Sequence, residues 1–238
     1  MNAVKETRFR QDSAFPCESN GEVRLMYKVA LFDLDGTLIN SEHKNREAWA
    51  RLFRRHGVPY DDSVLRSFTG RPAKEAMADH VASFAGHSVD ELCAEVAAYA
   101  ALPDMPAAVT VDGAMELLYQ LQQMGVPFGV VTSGPRDYAE SALATLGALQ
   151  LLDVLITADD VSRGKPDPEG YSAACSALNV EPSQAIVFED APAGILAAKR
   201  AGIFCVGLTT THDAEALAEA DVLLKDLTEV RWPHIGPS

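Results

Sequence analysis

No apolar run in this sequence approaches the roughly 20 residues that a membrane-spanning helix needs. Cysteine is scarce. Cys17, Cys93, Cys175 and Cys205 are widely scattered, with no Cys-x-x-Cys pair and no Cys/His spacing of a zinc site. That excludes a zinc module and a disulfide framework, and it suits reduced thiols in the cytoplasm. Cys93, Cys175 and Cys205 sit in apolar surroundings and read as core fillers. Positive charge is also short: 20 Lys and Arg face 34 Asp and Glu, a net charge of −14. A field of that sign excludes nucleic acid and membrane surfaces as general partners. Residues 1–25 lack the continuous apolar core of a signal peptide and are expected to form a flexible extension. The 47% hydrophobic share is that of a globular chain, and a monomer is expected.

The informative stretch is Lys28-Val29-Ala30-Leu31-Phe32-Asp33-Leu34-Asp35-Gly36-Thr37. Its apolar half reads as a buried parallel strand. It ends in two carboxylates one residue apart, which would share a face if the strand ran on through them. Their repulsion calls for a divalent cation. Open parallel sheets bind ligands at the carboxyl ends of their strands, where this pair should lie. By itself the stretch also fits an acidic turn with Gly36 at positive φ. Asp-x-Asp-Gly-Thr after an apolar strand resembles the first motif of the haloacid dehalogenase superfamily, most of whose members are phosphatases. The resemblance implies that Asp33 is the nucleophile and Asp35 the general acid/base.

Beyond Thr37 the pattern turns helical. Trp49, Leu52 and Phe53 recur at helical spacing within 42–55, and 62–68, 72–84 and 89–101 also read as helices. Nothing from 41 to 108 resembles a strand, so this block is expected to be a helical cap domain inserted into a core of 26–40 and 109–238. The superfamily's small-cap members carry a four-helix cap at this place. Strands and helices then alternate: helices over 112–124, 136–146, 168–178, 193–201 and 214–219, strands over 127–131, 154–157, 185–188, 203–206 and 222–224. Such alternation predicts an α/β fold, a Rossmann-like doubly wound parallel sheet with helices on both faces.

Three more strand ends carry chemistry. Thr132-Ser133-Gly134 offers a hydroxyl and backbone amides at a helix start, suited to phosphate oxygens. Read alone, it is more simply a helix capped by Ser133. Thr132 matches the superfamily's second motif, and Ser133 and Gly134 join it as candidate substrate-binding residues. Gly164-Lys165-Pro166 has the form of the third motif, where Lys165 would hold the nucleophile and a phosphate oxygen. Arg163 beside it reads as a surface residue. Glu189 and Asp190 end another strand. By resemblance the magnesium ligands are the Asp33 and Asp190 side chains and the Asp35 carbonyl, with Glu189 second in line or acting through water. Read alone, Asp190 is an acid at a helix N-terminus.

The joint pattern predicts a magnesium-dependent phosphomonoester hydrolase working through an aspartyl phosphate on a small phosphorylated metabolite. Thr132–Asp137, 157–168 and 188–202 look closest to phosphatases of sugar and polyol phosphates. Asp35 argues against dehalogenases and phosphonate hydrolases, which depart at that position. A beta-phosphoglucomutase-like phosphotransferase keeps both acids and is the rival. The mutases in question carry a cap histidine ten residues after the acid/base, where this chain has Asn45, with His43 two residues earlier. A non-catalytic phosphate-binding or phospho-accepting module is the alternative from another class. Substrate choice is expected on the cap, with Arg71 in the Gly70–Pro72 turn and Asn45 facing the cleft. The remaining histidines, His56, His80, His87, His212 and His234, have no metal-binding spacing and are expected at the surface or in the core.

Overall fold

The structure is a computed structural model and describes residues 27–69, 73–106, 108–232 and 234–235. The expected N-terminal extension and Arg71 lie outside the described residues.

Strand β1 (Val29–Phe32) is buried along its whole length and alternates between two cores. Ala30 and Phe32 join one apolar cluster, Val29 and Leu31 the other. Period-2 alternation into two cores means both sheet faces are covered, which is why the strand reads as a continuous apolar run. A short strand β2 (Ile39–Asn40) follows, then four helices: α1 (Glu42–Arg55), α2 (Asp62–Arg66), α3 (Ala73–Ala78) and α4 (Val89–Ala100). Helix α1 buries Ala48, Trp49, Leu52 and Phe53 on one stripe, as the spacing predicts. With Phe68, Met77, Phe84 and Leu92 they form a third cluster drawn entirely from this helical segment. Asp61 caps α2, accepting from the amides of Ser63 and Val64, and a reciprocal Ser88–Glu91 capping box starts α4. The helix expected over 72–84 stops at Ala78 and resumes as a 3₁₀ turn at Val81–Ser83.

Strand β3 (Val109–Thr110) pairs antiparallel with β2, so the chain leaves for the helices and returns from them side by side. The order then is α5 (Ala114–Gln123), β4 (Phe128–Val131), α6 (Arg136–Leu146), β5 (Val154–Ile156), α7 (Glu169–Ala177), β6 (Ala185–Glu189), α8 (Pro192–Arg200), β7 (Phe204–Leu208) and β8 (Val222–Leu224). The six long strands form one parallel sheet in the order β5-β4-β1-β6-β7-β8. Phe32 and Phe188 stack between β1 and β6 with centroids 4.9 Å apart. Each fully buried side chain of that size contributes roughly 1.5–3 kcal/mol.

The helix expected over 214–219 does not form. Ala216 donates to the Asp213 side chain, and Ala218 and Ala220 make only i→i+3 bonds. Leu217 is the one residue of this stretch that reaches the core, too little to stabilise a helix packed on the sheet. Among the described residues no helix is long and apolar enough to cross a membrane.

Candidate active site

The sheet order reverses direction at β1, whose neighbours are β4 and β6, and a crevice at such a point is where parallel sheets bind ligands. Asp33 follows β1, Thr132 follows β4, Glu189 ends β6 and Asp190 follows it. All four are buried.

Carboxylate oxygens of Asp33, Glu189 and Asp190 lie within 4.8 Å of one another. This corrects the expected pairing of Asp33 with Asp35 on one strand face: β1 stops at Phe32, and the chain turns through Gly36 at φ +89. A Cβ on Gly36 would lie 2.0 Å from Asp190 Oδ2, so only glycine lets this loop close on that acid. The Asp35 carboxylate points elsewhere. Its Oδ1 accepts from Ser41 Oγ at 2.6 Å and from Tyr138 OH at 2.5 Å.

Lys165 is the cation of the cluster. Its ammonium donates to Asp33 Oδ1 at 2.5 Å, Glu189 Oε1 at 2.6 Å and the Val131 carbonyl at 2.9 Å. Those three bonds match in number the three donors of an ammonium. Burial alone would lower the lysine's pKa, but the charges of Asp33 and Glu189 outweigh it and the net shift is upward. Glu189 Oε1 also accepts from Tyr171 OH at 2.6 Å. Burial, then the Glu189 charge, holds that phenol's pKa well up.

Burial raises Asp33 well above the ordinary carboxylate range; Lys165 opposes the shift, and Glu189 and Asp190 add to it. Asp190 is pushed up to about 7, by burial first and the Glu189 charge second. Asp35 is also raised by burial, with the Ser41 and Tyr138 bonds pulling the other way. Three buried carboxylates facing one ammonium leave excess negative charge in a site of hard oxygen donors. That donor set fits a divalent cation such as magnesium.

Gly194, in the first turn of α8, sits against the Glu189 carboxylate, where a Cβ would lie 1.9 Å from Oε1. Elsewhere in a helix, Gly→Ala stabilises by roughly 0.5–1 kcal/mol. Here the clash should win, and Gly194→Ala should lose about 1–3 kcal/mol, read from the urea midpoint.

Thr132 is buried, and its Oγ1 accepts from the Gly134 amide at 3.0 Å. Gly134's amide is therefore committed, whereas the Ser133 amide makes no bond within the described residues. Ser133 does not cap α6; Pro135 is the cap residue, and Asp159 Oδ2 accepts from the Arg136 amide instead. Asn45 is exposed, and its side-chain amide donates to Ser41 Oγ at 3.2 Å, tying it to Asp35 through one hydroxyl.

Several residues at the site were not singled out from the sequence. Thr211 donates its hydroxyl to Asp190 Oδ2, and Thr37 donates to Asp190 Oδ1 at 3.3 Å. His212, expected at the surface or in the core, has Nδ1 2.9 Å from the Asp190 carbonyl. Thr209-Thr210-Thr211 follows an apolar strand just as Thr132 does, and that signal was available. Tyr138 and Tyr171 carried none, being half-buried and buried positions of ordinary amphipathic helices.

A family model of haloacid dehalogenase-like hydrolases matches residues 27–202, which include every acid of this cluster. The chain belongs to that family. This hydrolase is 98% identical over 213 residues to validoxylamine A 7'-phosphate phosphatase of Streptomyces hygroscopicus subsp. limoneus, covering 90% of the chain and 100% of the relative. It is 34% identical over 208 residues to hexitol phosphatase A of Escherichia coli, covering 85% of the chain and 93% of the relative. Its fold matches the CbbY structure from Rhodobacter sphaeroides in complex with xylulose-(1,5)bisphosphate, at TM-score 0.74 and 27% identity, over 85% of this chain and 96% of that one. The hydrolase is a phosphatase.

Proposed function

We propose that this phosphatase hydrolyses the phosphomonoester of a polyhydroxylated small molecule, with validoxylamine A 7'-phosphate as its first candidate substrate. The observation that carries the substrate is the 98% identity along the whole length of the relative named for it. The chemistry rests on the geometry around Asp33. Held by Lys165 at the end of β1, Asp33 attacks phosphorus and forms an aspartyl phosphate. Asp35 gives a proton to the departing alcohol, then takes one from the water that hydrolyses the intermediate. The Thr132 hydroxyl, which donates to no described residue, and the Ser133 amide stabilise charge on the phosphoryl oxygens. Asp33, Asp190 and the Asp35 carbonyl would hold magnesium, with Glu189 acting through Lys165 and water. The ion supplies the positive charge that lets a carboxylate approach a phosphate dianion.

The helical segment 41–108, with its own apolar cluster and paired entry and exit strands, acts as a cap that closes over this site and excludes water. Asn45 lies on the cap side of the Asp35 network.

The test is phosphate release, with and without magnesium, from validoxylamine A 7'-phosphate, hexitol phosphates and nucleotides. Magnesium-dependent release concentrated on the first is expected. Phosphate transfer to a bisphosphate-primed hexose, with no release to water, would favour the mutase reading instead. The magnesium requirement should also steepen as pH falls. Without metal, the Asp190 carboxyl keeps its proton up to about pH 7, so proton and ion compete below that value. Without magnesium, the raised Asp190 pKa makes the folded state bind the extra proton. Stability should therefore decline as pH rises from the ordinary carboxylate range towards about 7.

A further inference from the structure

We propose that Tyr138 is a positioning residue for the acid/base: it pins Oδ1 of Asp35 from the core side, so that Oδ2 is the oxygen presented to the leaving group. This rests on the reading of Asp35 as the proton donor given above.

Two donors converge on Asp35 Oδ1 from different parts of the chain. Ser41 Oγ, just before α1, donates at 2.6 Å. Tyr138 OH, from the first turn of α6 and 103 residues away in sequence, donates at 2.5 Å. No hydrogen bond from a described residue reaches Oδ2. Ser41 belongs to the segment that enters the helices, just before α1, and its Oγ accepts from the Asn45 side-chain amide there. Tyr138 is anchored in the core, where its ring packs on the larger apolar cluster. A carboxylate held by Ser41 alone would follow the helical segment whenever it shifted. The tyrosine ties the same oxygen to the sheet.

The local sequence makes room for this contact. A Cβ on Gly134 would lie 2.9 Å from the Tyr138 Cδ1, inside the distance real contacts allow. Gly134 makes no positive-φ turn, so its missing side chain is required by the ring rather than by the backbone. Glycine four residues before the tyrosine, at the start of α6, lets the phenol lie back over the strand end and reach across to Asp35.

In the first half-reaction the bond from an Asp33 oxygen to phosphorus forms and the phosphorus–alcohol oxygen bond breaks. The proton on Asp35 Oδ2 moves to the departing oxygen. An alkoxide needs that proton; p-nitrophenolate departs without it. A residue that aims the acid therefore matters for one substrate and not the other. The parameter kcat/KM reports only steps up to loss of the alcohol, so hydrolysis of the intermediate does not intrude.

Tyr138→Phe removes the hydroxyl alone. Its kcat/KM for a hexitol phosphate should fall roughly ten- to a hundredfold, the loss of a hydrogen bond to a charged group. Its value for p-nitrophenyl phosphate should change less than about threefold. Tyr138→Leu, which keeps an apolar side chain against the cluster without the hydroxyl, should discriminate in the same way and serves if the phenylalanine variant does not fold. A Tyr138 variant that only damaged phosphate binding would lose both substrates equally. Asp35→Asn is the control. If it discriminates between the substrates and neither Tyr138→Phe nor Tyr138→Leu does, the positioning role is wrong and the catalytic reading stands. If Asp35→Asn itself fails to discriminate, the acid assignment falls and this inference with it.

Discussion

Asp33→Asn should abolish turnover and leave the protein at least as stable as before. The amide cannot attack phosphorus, and loss of a nucleophile should cost about 10⁴-fold or more in kcat. Stability goes the other way because of where Asp33 sits. Burial and the charges of Glu189 and Asp190 all oppose its ionised form, and Lys165 only partly compensates. Removing that charge leaves Lys165 bonded to Glu189 and to the Val131 carbonyl, so no buried cation is stranded. In metal-free buffer at neutral pH the melting temperature should be unchanged or a few degrees higher. Added magnesium should raise it less than in the parent, since a ligand has gone. Turnover within tenfold of the parent would reject Asp33 as the nucleophile, and a large drop in melting temperature would contradict the electrostatic account.

Lys165→Met should be the opposite case, losing both activity and stability. The ammonium is nine-tenths buried and joins three acceptors from three strand ends. Methionine fills much of the stem's volume but leaves Asp33 and Glu189 facing each other with no cation. Removing one partner of a buried pair typically costs 3–5 kcal/mol, and about that loss is expected in urea unfolding at pH 7. The deficit should shrink towards pH 5. Asp33 already titrates well above the ordinary range, and protonation relieves the repulsion that the lysine no longer offsets. A deficit unchanged by pH would mean that Lys165 contributes packing rather than charge.

How legible these features were in the sequence depends on how far each contact reaches. The sheet was readable because its central strands are buried on both faces and so appear as short unbroken apolar runs at β1, β4 and β6. The acids were readable because Asp33, Glu189 and Asp190 end such runs, where a buried charge needs a reason. Tyr138 was not readable: its partner lies 103 residues away, and nothing in α6 distinguishes a phenol that reaches Asp35 from one that only packs. Likewise the role of Gly194 against Glu189 depends on α8 crossing the end of β6, a tertiary fact. The helix expected over 214–219 failed for the converse reason. Its residues suit a helix locally, but only Leu217 finds a place to bury. Two-residue strands such as β2 and β3 are too short to produce any alternation at all.

Those two short strands have a consequence for how such a molecule can change over time. Asn40 faces Val109 and Ile39 faces Thr110, so the chain leaves for the sixty-odd residues between them and returns at one two-rung ladder. Their length and sequence can vary without shifting the register of the six-stranded sheet or the spacing of its acids. A graft that keeps the two-rung ladder and Ser41, which donates to Asp35, and replaces the rest between should therefore still fold around an intact phosphoryl-transfer centre. On the cap role proposed above, chemistry and selectivity are inherited separately, and new substrates can be explored by exchanging one module while the other is left alone.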